Sequence, residues 1–273
     1  MSQISVNGVS IYYEEHGAGE PILCIHGTGS SAALWTDAAA ALATRGRTIV
    51  YDRRGFARSG RPEPYVPDVR QHADDAAALL DALGAVPAIV IGRSYGGEIA
   101  VDLARRYPDR VRALALLEGG GLSLSESFRA WSDELDEQVL EAAETDMSSV
   151  GEVMLRGVVG DAGWDGLPEP VQRIFIANGP AIAAEHRAGL LDVSLEQLGT
   201  IGQPTLLVAG KDSPPAFADV TRIVARAIPA ARVEWVEGGH VINPAHPAVL
   251  GFVDEVLARH APKTRMKEEP STA

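Results

Sequence analysis

The sequence predicts an α/β fold with a mostly parallel central sheet flanked by helices. Short β-branched runs alternate with Ala-rich amphipathic stretches, and strands that are connected through helices run parallel. Most of the strand-like runs are continuously apolar, which is typical of strands buried between two layers of helices. Hydrophobic residues make up 46% of the 273 positions, enough for a large core.

The predicted elements follow a regular order over the first 117 residues. Residues 9–15 alternate between apolar and polar side chains and predict an antiparallel edge strand. Buried strands are predicted at residues 22–25, 48–51, 88–91 and 113–117. Helices are predicted at residues 31–46, 69–84 and 96–110, from apolar side chains at helical spacing. A glycine ends each of the first two helices, and Pro108 ends the third.

The alternation stops after Leu117 and resumes near residue 205. Helical patterns without strands are predicted at residues 127–146, 150–161 and 169–179. A strand at 205–209, a helix at 216–228, a strand at 231–237 and a helix at 247–260 then complete the pattern. We predict a core formed by residues 1–120 and 200–262, a helical cap at 121–199 and a flexible tail at 263–273.

Charge and composition exclude several classes of partner. Lys and Arg number 24 against 37 Asp and Glu, so the net charge of −13 repels nucleic acid and anionic lipid. The sequence has no signal-peptide pattern and no run of eighteen apolar residues, so we expect a soluble cytoplasmic protein that binds neither nucleic acid nor membrane. The one cysteine, Cys24, lies in an apolar strand and is predicted to act as a small hydrophobe.

A serine stands at the tip of a predicted strand-to-helix turn. Gly92-Arg93-Ser94-Tyr95-Gly96 follows the strand at 88–91 and opens a helix, the context in which G-x-S-x-G marks a nucleophile. The glycines let strand and helix pass closely, so the hydroxyl stands clear of the sheet at the positive end of the helix. A helix-capping serine is the alternative, but a cap does not require both glycines.

A serine nucleophile needs a base, and His240 is the histidine that fits. It follows a predicted strand on the loop Gly238-Gly239-His240, from which an imidazole can reach a serine. His246 precedes Pro247 and is predicted to pack against or cap the last helix. Four other histidines fall on predicted surface positions and are expected to be solvated: His16, His72, His186 and His260.

The oxyanion formed by serine attack requires preorganised hydrogen-bond donors. The run from His26 to Trp35 lies where a strand ends and the first helix begins, so a backbone N–H there can point into the site. We predict the N–H groups of Thr28 and Tyr95 as the two donors of the oxyanion hole. A phosphate-binding loop is the alternative, but neither G-x-G-x-x-G nor G-K-[ST] occurs in this region.

Together these motifs resemble the α/β-hydrolase superfamily, in its serine-nucleophile branch. The resemblance covers roughly residues 10–260 and includes HGTGSSAALW, YDRRGFARSG, GRSYGGEIA, GKDSPPAF and GGHVINPAHP in the family's order. It implies a helical cap inserted after the sixth strand of that fold. It also implies that Asp52, Arg54, Gly55 and Ser59 support the oxyanion turn. For the cap aromatics Trp131, Trp164 and Phe175, a pocket wall and the core remain alternatives.

Two carboxylates compete for the third place in the triad. Family members usually carry the acid three residues beyond the glycine after strand 205–209, which is Ser213 here, and Asp212 lies one residue earlier. Glu118 ends the preceding strand, which resembles the zearalenone-lactone type of hydrolase, as does the cap sequence LPEPVQRIFIANGP. Either carboxylate can orient the histidine. We favour Glu118, since Asp212 has an ordinary role as a turn cap.

The predicted function is cofactor-independent hydrolysis of a small or medium carboxylic ester or lactone through an acyl-enzyme. The partners implied are the small-molecule substrate and water; no metal or cofactor is expected, and the oligomeric state is open. Carbon–carbon bond hydrolysis, amide cleavage and peroxyacid formation are alternatives on the same triad. A ligand receptor or signalling protein that keeps the fold without turnover is the alternative from another class.

Overall fold

A twisted sheet of eight strands forms the centre of the part that the structure describes. The computed structural model describes residues 2–120 and 122–260. The strands are β1 (Ser2–Val6), β2 (Val9–His16), β3 (Pro21–Ile25), β4 (Arg47–Tyr51), β5 (Ala88–Arg93), β6 (Val111–Leu117), β7 (Thr205–Gly210) and β8 (Ala231–Val236). Their order is β1-β2-β4-β3-β5-β6-β7-β8, and β3 to β8 run parallel. The predicted α/β class with a mostly parallel sheet is confirmed.

The antiparallel strand predicted at residues 9–15 is present as β2, but its place at the edge was wrong. β1 pairs along its outer side, and β2 pairs antiparallel with β4 on the other. The turn between β1 and β2 places Asn7 and Gly8 at positive φ, the conformation that two-residue hairpins require. Alternating polarity indicates that one face of a strand is exposed. A strand next to the edge can have one exposed face too, so the alternation does not distinguish the two positions.

Helices cover both faces of the sheet. On one face α1 (Thr36–Leu42) and α10 (Pro247–His260) pack on a cluster that includes Trp35, Ile89, Ile91 and Phe252. On the other face lie α2 (Val69–Ala82), α3 (Tyr95–Arg106) and α9 (Pro215–Ala227). Val90 and Ile91 are fully buried on opposite faces, and each such burial contributes about 1.5–3 kcal/mol.

The chain between β6 and β7 is helical. It contains α4 (Glu126–Thr145), α5 (Val150–Asp165), α6 (Glu169–Ala177), α7 (Gly179–Ala188) and α8 (Leu195–Gly199). A separate apolar cluster with Leu135, Trp164 and Ile182 at its centre holds α4 to α7 together, whereas Leu198 of α8 packs in the cluster beneath the sheet. α5 is kinked at Gly160, near the end that the sequence predicts. The predicted tail 263–273 lies outside the described residues.

Strand register brings the ends of the central strands to one level. Arg93 pairs with Leu117, and Leu117 pairs with Val208, so the residues that follow β5, β6 and β7 meet at the carboxyl edge of the sheet. Ligands of open α/β sheets bind outside this edge. Within the described residues, no helix is both long and apolar enough to cross a bilayer.

Candidate active site

Ser94, the predicted nucleophile, occupies a sharp turn between β5 and α3. Its backbone has φ +54° and ψ −124°, a strained conformation for a residue other than glycine. The turn is held by its own hydrogen bonds, because the Ser94 N–H donates to Leu117 O at 2.8 Å and Gly97 N–H donates to Ser94 O at 2.7 Å. A side chain at Gly92 would collide with the Gly96 carbonyl oxygen, and one at Gly96 with the Ile25 carbonyl oxygen. Strand and helix can therefore cross only with glycines at both places.

His240 lies on the loop between β8 and α10 and contacts Glu118. Its Nδ1 is 3.4 Å from Glu118 Oε2, and both side chains are buried. Glu118 follows β6 at φ +53°, and its Oε1 accepts a hydrogen bond from the Gly210 N–H. The imidazole packs on the Phe217 ring, whose centroid is 4.3 Å away. A carboxylate fixed in this way holds the Nδ1–H of a neutral imidazole and leaves Nε2 free to accept a proton.

Asp212, the alternative acid, lies exposed on the turn after β7. Its backbone N–H donates to Gly238 O at 3.0 Å, which closes the turn beside the histidine loop. Among the described residues, the carboxylate that contacts His240 is that of Glu118. The geometry therefore couples His240 to the end of β6.

The two residues predicted to supply the oxyanion donors line the same cavity as Ser94. Thr28, Ser94 and Tyr95 line one cavity, and a side chain at Gly27 would come within 3.2 Å of Ser94 Cβ. The Tyr95 N–H belongs to the first turn of α3, where N–H groups have no acceptor within the helix.

Of the four residues expected to support the predicted oxyanion turn, Asp52 makes a hydrogen bond to the segment that follows that turn, and Ser59 makes one to Asp52. The Asp52 carboxylate accepts hydrogen bonds from the Ala32 N–H at 2.7 Å and from Arg58 Nε at 2.7 Å. Ser59 Oγ donates to the Asp52 carbonyl oxygen at 2.5 Å. Arg54 does something else, because it forms a two-pronged ion pair with Asp75 on α2 at 2.7 and 2.8 Å.

A family model described as alpha/beta hydrolase fold matches residues 20–247. This chain belongs to the α/β-hydrolase fold family. The match spans β3, the Ser94 turn and the His240 loop, so it confirms the resemblance of the motifs to the α/β-hydrolase superfamily.

The relatives of this α/β-hydrolase are themselves hydrolases. It is 31% identical to the putative carbamate hydrolase RutD of Azorhizobium caulinodans over 276 residues, which cover 90% of this chain and 96% of the relative. It is 36% identical to the 2-hydroxymuconate semialdehyde hydrolase of a Pseudomonas species over 124 residues, or 44% of each protein. The solved structure of Est816, described as an N-acyl homoserine lactone degrading enzyme, superposes with a TM-score of 0.72 at 25% identity, covering 94% of this chain and 99% of that one.

The site of this α/β-hydrolase opens into a largely apolar cavity of about 490 Å³. Of the aromatics predicted for the cap, Trp131 and Phe175 line the cavity, whereas Trp164 is buried in the apolar cluster of α4 to α7. Most of the apolar wall comes from the segment between β6 and β7, namely Leu122, Phe128, Leu135, Met154, Leu155, Val158, Val159, Leu167, Val171 and Leu190, and the rest from Leu34, Phe217 and Val241. Ser132 and His186 are the polar side chains that the segment between β6 and β7 contributes to this wall.

Two of the histidines expected on the surface of the α/β-hydrolase are not solvated. His72 is 1% exposed on the inner face of α2, and burial together with the charge of Arg53 lowers its pKa. His186 lines the cavity, with Nδ1 2.5 Å from Asp136 Oδ1. His246 caps α10 as predicted, since its Nδ1 accepts from the Ala248 N–H at 3.2 Å. The His260 side chain lies outside what the structure describes.

Sequence reasoning missed a buried cluster of charges beside the site. Arg53 is fully buried and forms a short ion pair with Glu185 of α7, which is 1% exposed. Burial by itself raises the pKa of Glu185, but the charge of Arg53 and hydrogen bonds from His72 and Arg53 outweigh it and lower the pKa to about 2. Arg53 and Glu185 are 132 residues apart in the chain. The helix that carries Glu185, α7, was not among the predicted elements. The available signal was that Glu185 directly follows the small and apolar run at residues 181–184.

Within residues 2–120 and 122–260, no group of three or more His, Cys, Asp or Glu side chains is arranged to hold a metal ion. Cys24 is buried in β3 as predicted, and burial raises the pKa of its thiol.

Proposed function

We propose that this α/β-hydrolase cleaves small or medium carboxylic esters or lactones through an acyl-enzyme on Ser94. One observation carries the proposal: a serine on a strained turn and a histidine paired with a buried glutamate line the end of one apolar cavity. A nucleophile, a base and a group that orients the base are the parts that acyl transfer needs.

In the acylation step, Ser94 Oγ attacks the carbonyl carbon while His240 Nε2 removes the hydroxyl proton. Glu118 accepts the hydrogen bond from Nδ1–H and stabilises the imidazolium that forms. The N–H groups of Thr28 and Tyr95 bind the oxyanion of the tetrahedral intermediate. When the intermediate collapses, the bond to the leaving oxygen breaks and His240 returns the proton to that oxygen. In a lactone the leaving alcohol remains attached to the acyl group.

Water completes the reaction. His240 Nε2 takes a proton from a water molecule as the water oxygen attacks the acyl carbon, and the same two N–H groups bind the second oxyanion. Collapse releases the carboxylic acid, and the proton on His240 returns to Ser94 Oγ. The free enzyme is restored without any further reactant.

The cavity supports a substrate with an apolar body. Its cap wall offers mainly aliphatic and aromatic contacts, and a volume of about 490 Å³ is within the range of small-molecule sites. The full-length relative is named a putative carbamate hydrolase and the structural relative a lactone-degrading enzyme. Carbamates, lactones and esters share a carbonyl bonded to a heteroatom that leaves, which suits the same attack.

The proposal is tested by labelling with a fluorophosphonate, followed by intact mass and peptide mapping. Hydrolysis of p-nitrophenyl acetate, butyrate and octanoate is measured beside it for the wild type and for Ser94→Ala. We expect one adduct, on Ser94, and loss of hydrolysis in the variant, because Ser94 is the nucleophile of the proposed reaction. Equal rates in the two folded proteins, with Ser94 unlabelled, would refute the proposal.

A further inference from the structure

Arg53 holds the peptide that carries one of the proposed oxyanion donors. Its Nη2 donates to the Gly27 carbonyl oxygen at 3.1 Å, and His26 Nδ1 lies 2.8 Å from the same oxygen. The Gly27 carbonyl and the Thr28 N–H belong to one peptide unit, and in a trans peptide they point in opposite directions. Fixing the carbonyl toward Arg53 therefore directs the Thr28 N–H away from Arg53, on the side where Thr28 lines the cavity with Ser94.

The hydrogen bonds of His26 determine which of its nitrogens carries the proton. The Arg53 backbone N–H donates to His26 Nε2 at 3.0 Å, so Nε2 is the acceptor and Nδ1–H donates to the Gly27 carbonyl. Burial and the nearby Arg53 charge lower the pKa of His26 well below its usual value. The imidazole therefore stays neutral at working pH. The Gly27 carbonyl oxygen accepts one hydrogen bond from His26 Nδ1–H and one from Arg53 Nη2.

Glu185 of the cap holds Arg53 in turn. Its two carboxylate oxygens face the two terminal nitrogens of the guanidinium, with Nη1 in the shorter contact and Nη2 at 3.4 Å from Oε2. The guanidinium carbon also lies 4.4 Å from the centre of the Phe56 ring. The two contacts with the carboxylate and the stacking on the aromatic ring restrict the rotation of the planar guanidinium. In the observed orientation, Nη2 reaches the Gly27 carbonyl oxygen.

We propose that Glu185 and Arg53 are positioning residues that hold the Thr28 N–H in the oxyanion hole. This inference rests on the proposed function, since the oxyanion is that of acyl transfer. It assigns α7 of the cap a role in the catalytic step as well as in enclosing substrate. Without the Glu185 charge, the buried guanidinium loses its orienting partner, and the Gly27 carbonyl keeps only the hydrogen bond from His26.

The test compares two buried ion pairs that involve neighbouring arginines. Glu185→Gln removes the charge that orients Arg53, whereas Asp75→Asn removes the partner of Arg54, which lies away from Gly27. Both carboxylates are 1% exposed, but Arg53 is fully buried and the Arg54 side chain is 8% exposed, so we expect Glu185→Gln to lose more stability than Asp75→Asn. Unfolding in urea measures that loss for each protein.

The readouts are kcat per active site, with active sites counted by fluorophosphonate titration, the KM for p-nitrophenyl butyrate, and the Ki of a trifluoromethyl ketone. This ketone forms a tetrahedral adduct with a serine and carries the oxyanion. For Glu185→Gln we expect kcat to fall about 10- to 1000-fold and Ki to rise in parallel, while KM changes less than threefold. For Asp75→Asn we expect wild-type kcat and Ki despite lower stability.

A merely structural role for Glu185 predicts a different pattern, because a smaller folded fraction changes neither Ki nor kcat per active site. Wild-type values of both in Glu185→Gln would overturn the inference. If that variant does not fold, Arg53→Lys keeps the buried charge pair but loses the fork that reaches Gly27, and it must show the same rise in Ki. Ser94→Ala is run in parallel: activity retained there refutes the proposed function, whereas activity lost there with Ki unchanged in Glu185→Gln refutes only this inference.

Discussion

At the scale of single residues, Glu118 is the most constrained group of the site. It is 1% exposed, has φ +53° and divides its two oxygens between the Gly210 N–H and His240 Nδ1. Left-handed backbone at a non-glycine residue costs about 1–3 kcal/mol and persists where surrounding contacts require it. The combination of strain, burial and a histidine partner is the basis for assigning Glu118 as the acid of the proposed triad.

The first prediction separates Glu118 from Asp212. Glu118→Gln keeps the side-chain shape but removes the charge that stabilises the imidazolium, so we expect kcat to fall by about 10³–10⁴-fold. Asp212→Asn alters an exposed turn, and we expect kcat within about threefold of wild type. Steady-state hydrolysis of p-nitrophenyl butyrate measures both, and circular dichroism checks that both fold. The opposite ranking would assign the acid to Asp212.

At the scale of elements, the site depends on the close packing of the residues that follow β6 against the turn between β5 and α3. A side chain at Gly119 would collide with the Ser94 carbonyl oxygen and come within 3.1 Å of Ser94 Cα. The chain immediately after Glu118 therefore packs directly on the backbone of the predicted nucleophile. The same approach keeps the carboxylate level with the serine, as the register of Arg93 and Leu117 requires.

A second prediction uses this close approach. Gly119→Ala should push the end of β6 from the Ser94 turn, lower kcat at least tenfold and reduce the free energy of unfolding by about 1–3 kcal/mol. Gly251→Ala on the exposed side of α10 is the control, since nothing lies within 4 Å of its added Cβ. There we expect unchanged kcat and a gain of about 0.5–1 kcal/mol from helix propensity. Full activity in Gly119→Ala would mean that the turn tolerates movement of β6.

At the scale of the whole molecule, stability depends on a carboxylate that joins α3 to the start of the cap. Glu98 is fully buried, and its Oε1 accepts from the Leu122 N–H at 2.6 Å, while Oε2 makes no hydrogen bond to the described residues. Burial raises the pKa of Glu98 to about 7, with the Leu122 hydrogen bond opposing and the Asp102 charge adding to the rise. Between about pH 4.5 and 7, Glu98 is therefore protonated in the folded protein and ionised in the unfolded chain.

The third prediction follows from that proton. Between about pH 4.5 and 7 the folded state binds more protons than the unfolded state, so the contribution of Glu98 to stability falls as pH rises through this window and levels off above it. Glu98→Gln mimics the protonated form at every pH. From pH 5 to pH 8 we expect the wild type to lose about 2–3 kcal/mol relative to the variant. Urea unfolding at pH 5, 6, 7 and 8 measures the difference, and parallel curves would contradict the assignment.

Local patterns in the sequence were sufficient for most elements and for the Ser94 turn. The turn lies within one short stretch, where an apolar strand, two glycines and a helix start are all visible together. His72 shows the limit: its helix was recognised, but its burial depends on Glu185 arriving from α7, with Oε1 3.2 Å from His72 Nε2. The spacing of apolar residues in a helix predicts which of its faces is buried. It does not predict that a polar residue on that face, such as His72, contacts a buried charge from another helix.

The sequence by itself determined the α/β class, the strands β2 to β8, and the positions of Ser94 and His240 after strands, because strand and helix periodicity and glycine spacing are local properties of the chain. It did not predict the first strand, β1. Only the tertiary structure decided which carboxylate meets His240, since Glu118 and Asp212 both follow buried strands and differ in backbone conformation and in what packs over them. It also decided the pairing of Arg53 with Glu185 and the composition of the cavity wall. These contacts join residues far apart in the chain, and their geometry depends on how helices pack against the sheet, which no local pattern encodes.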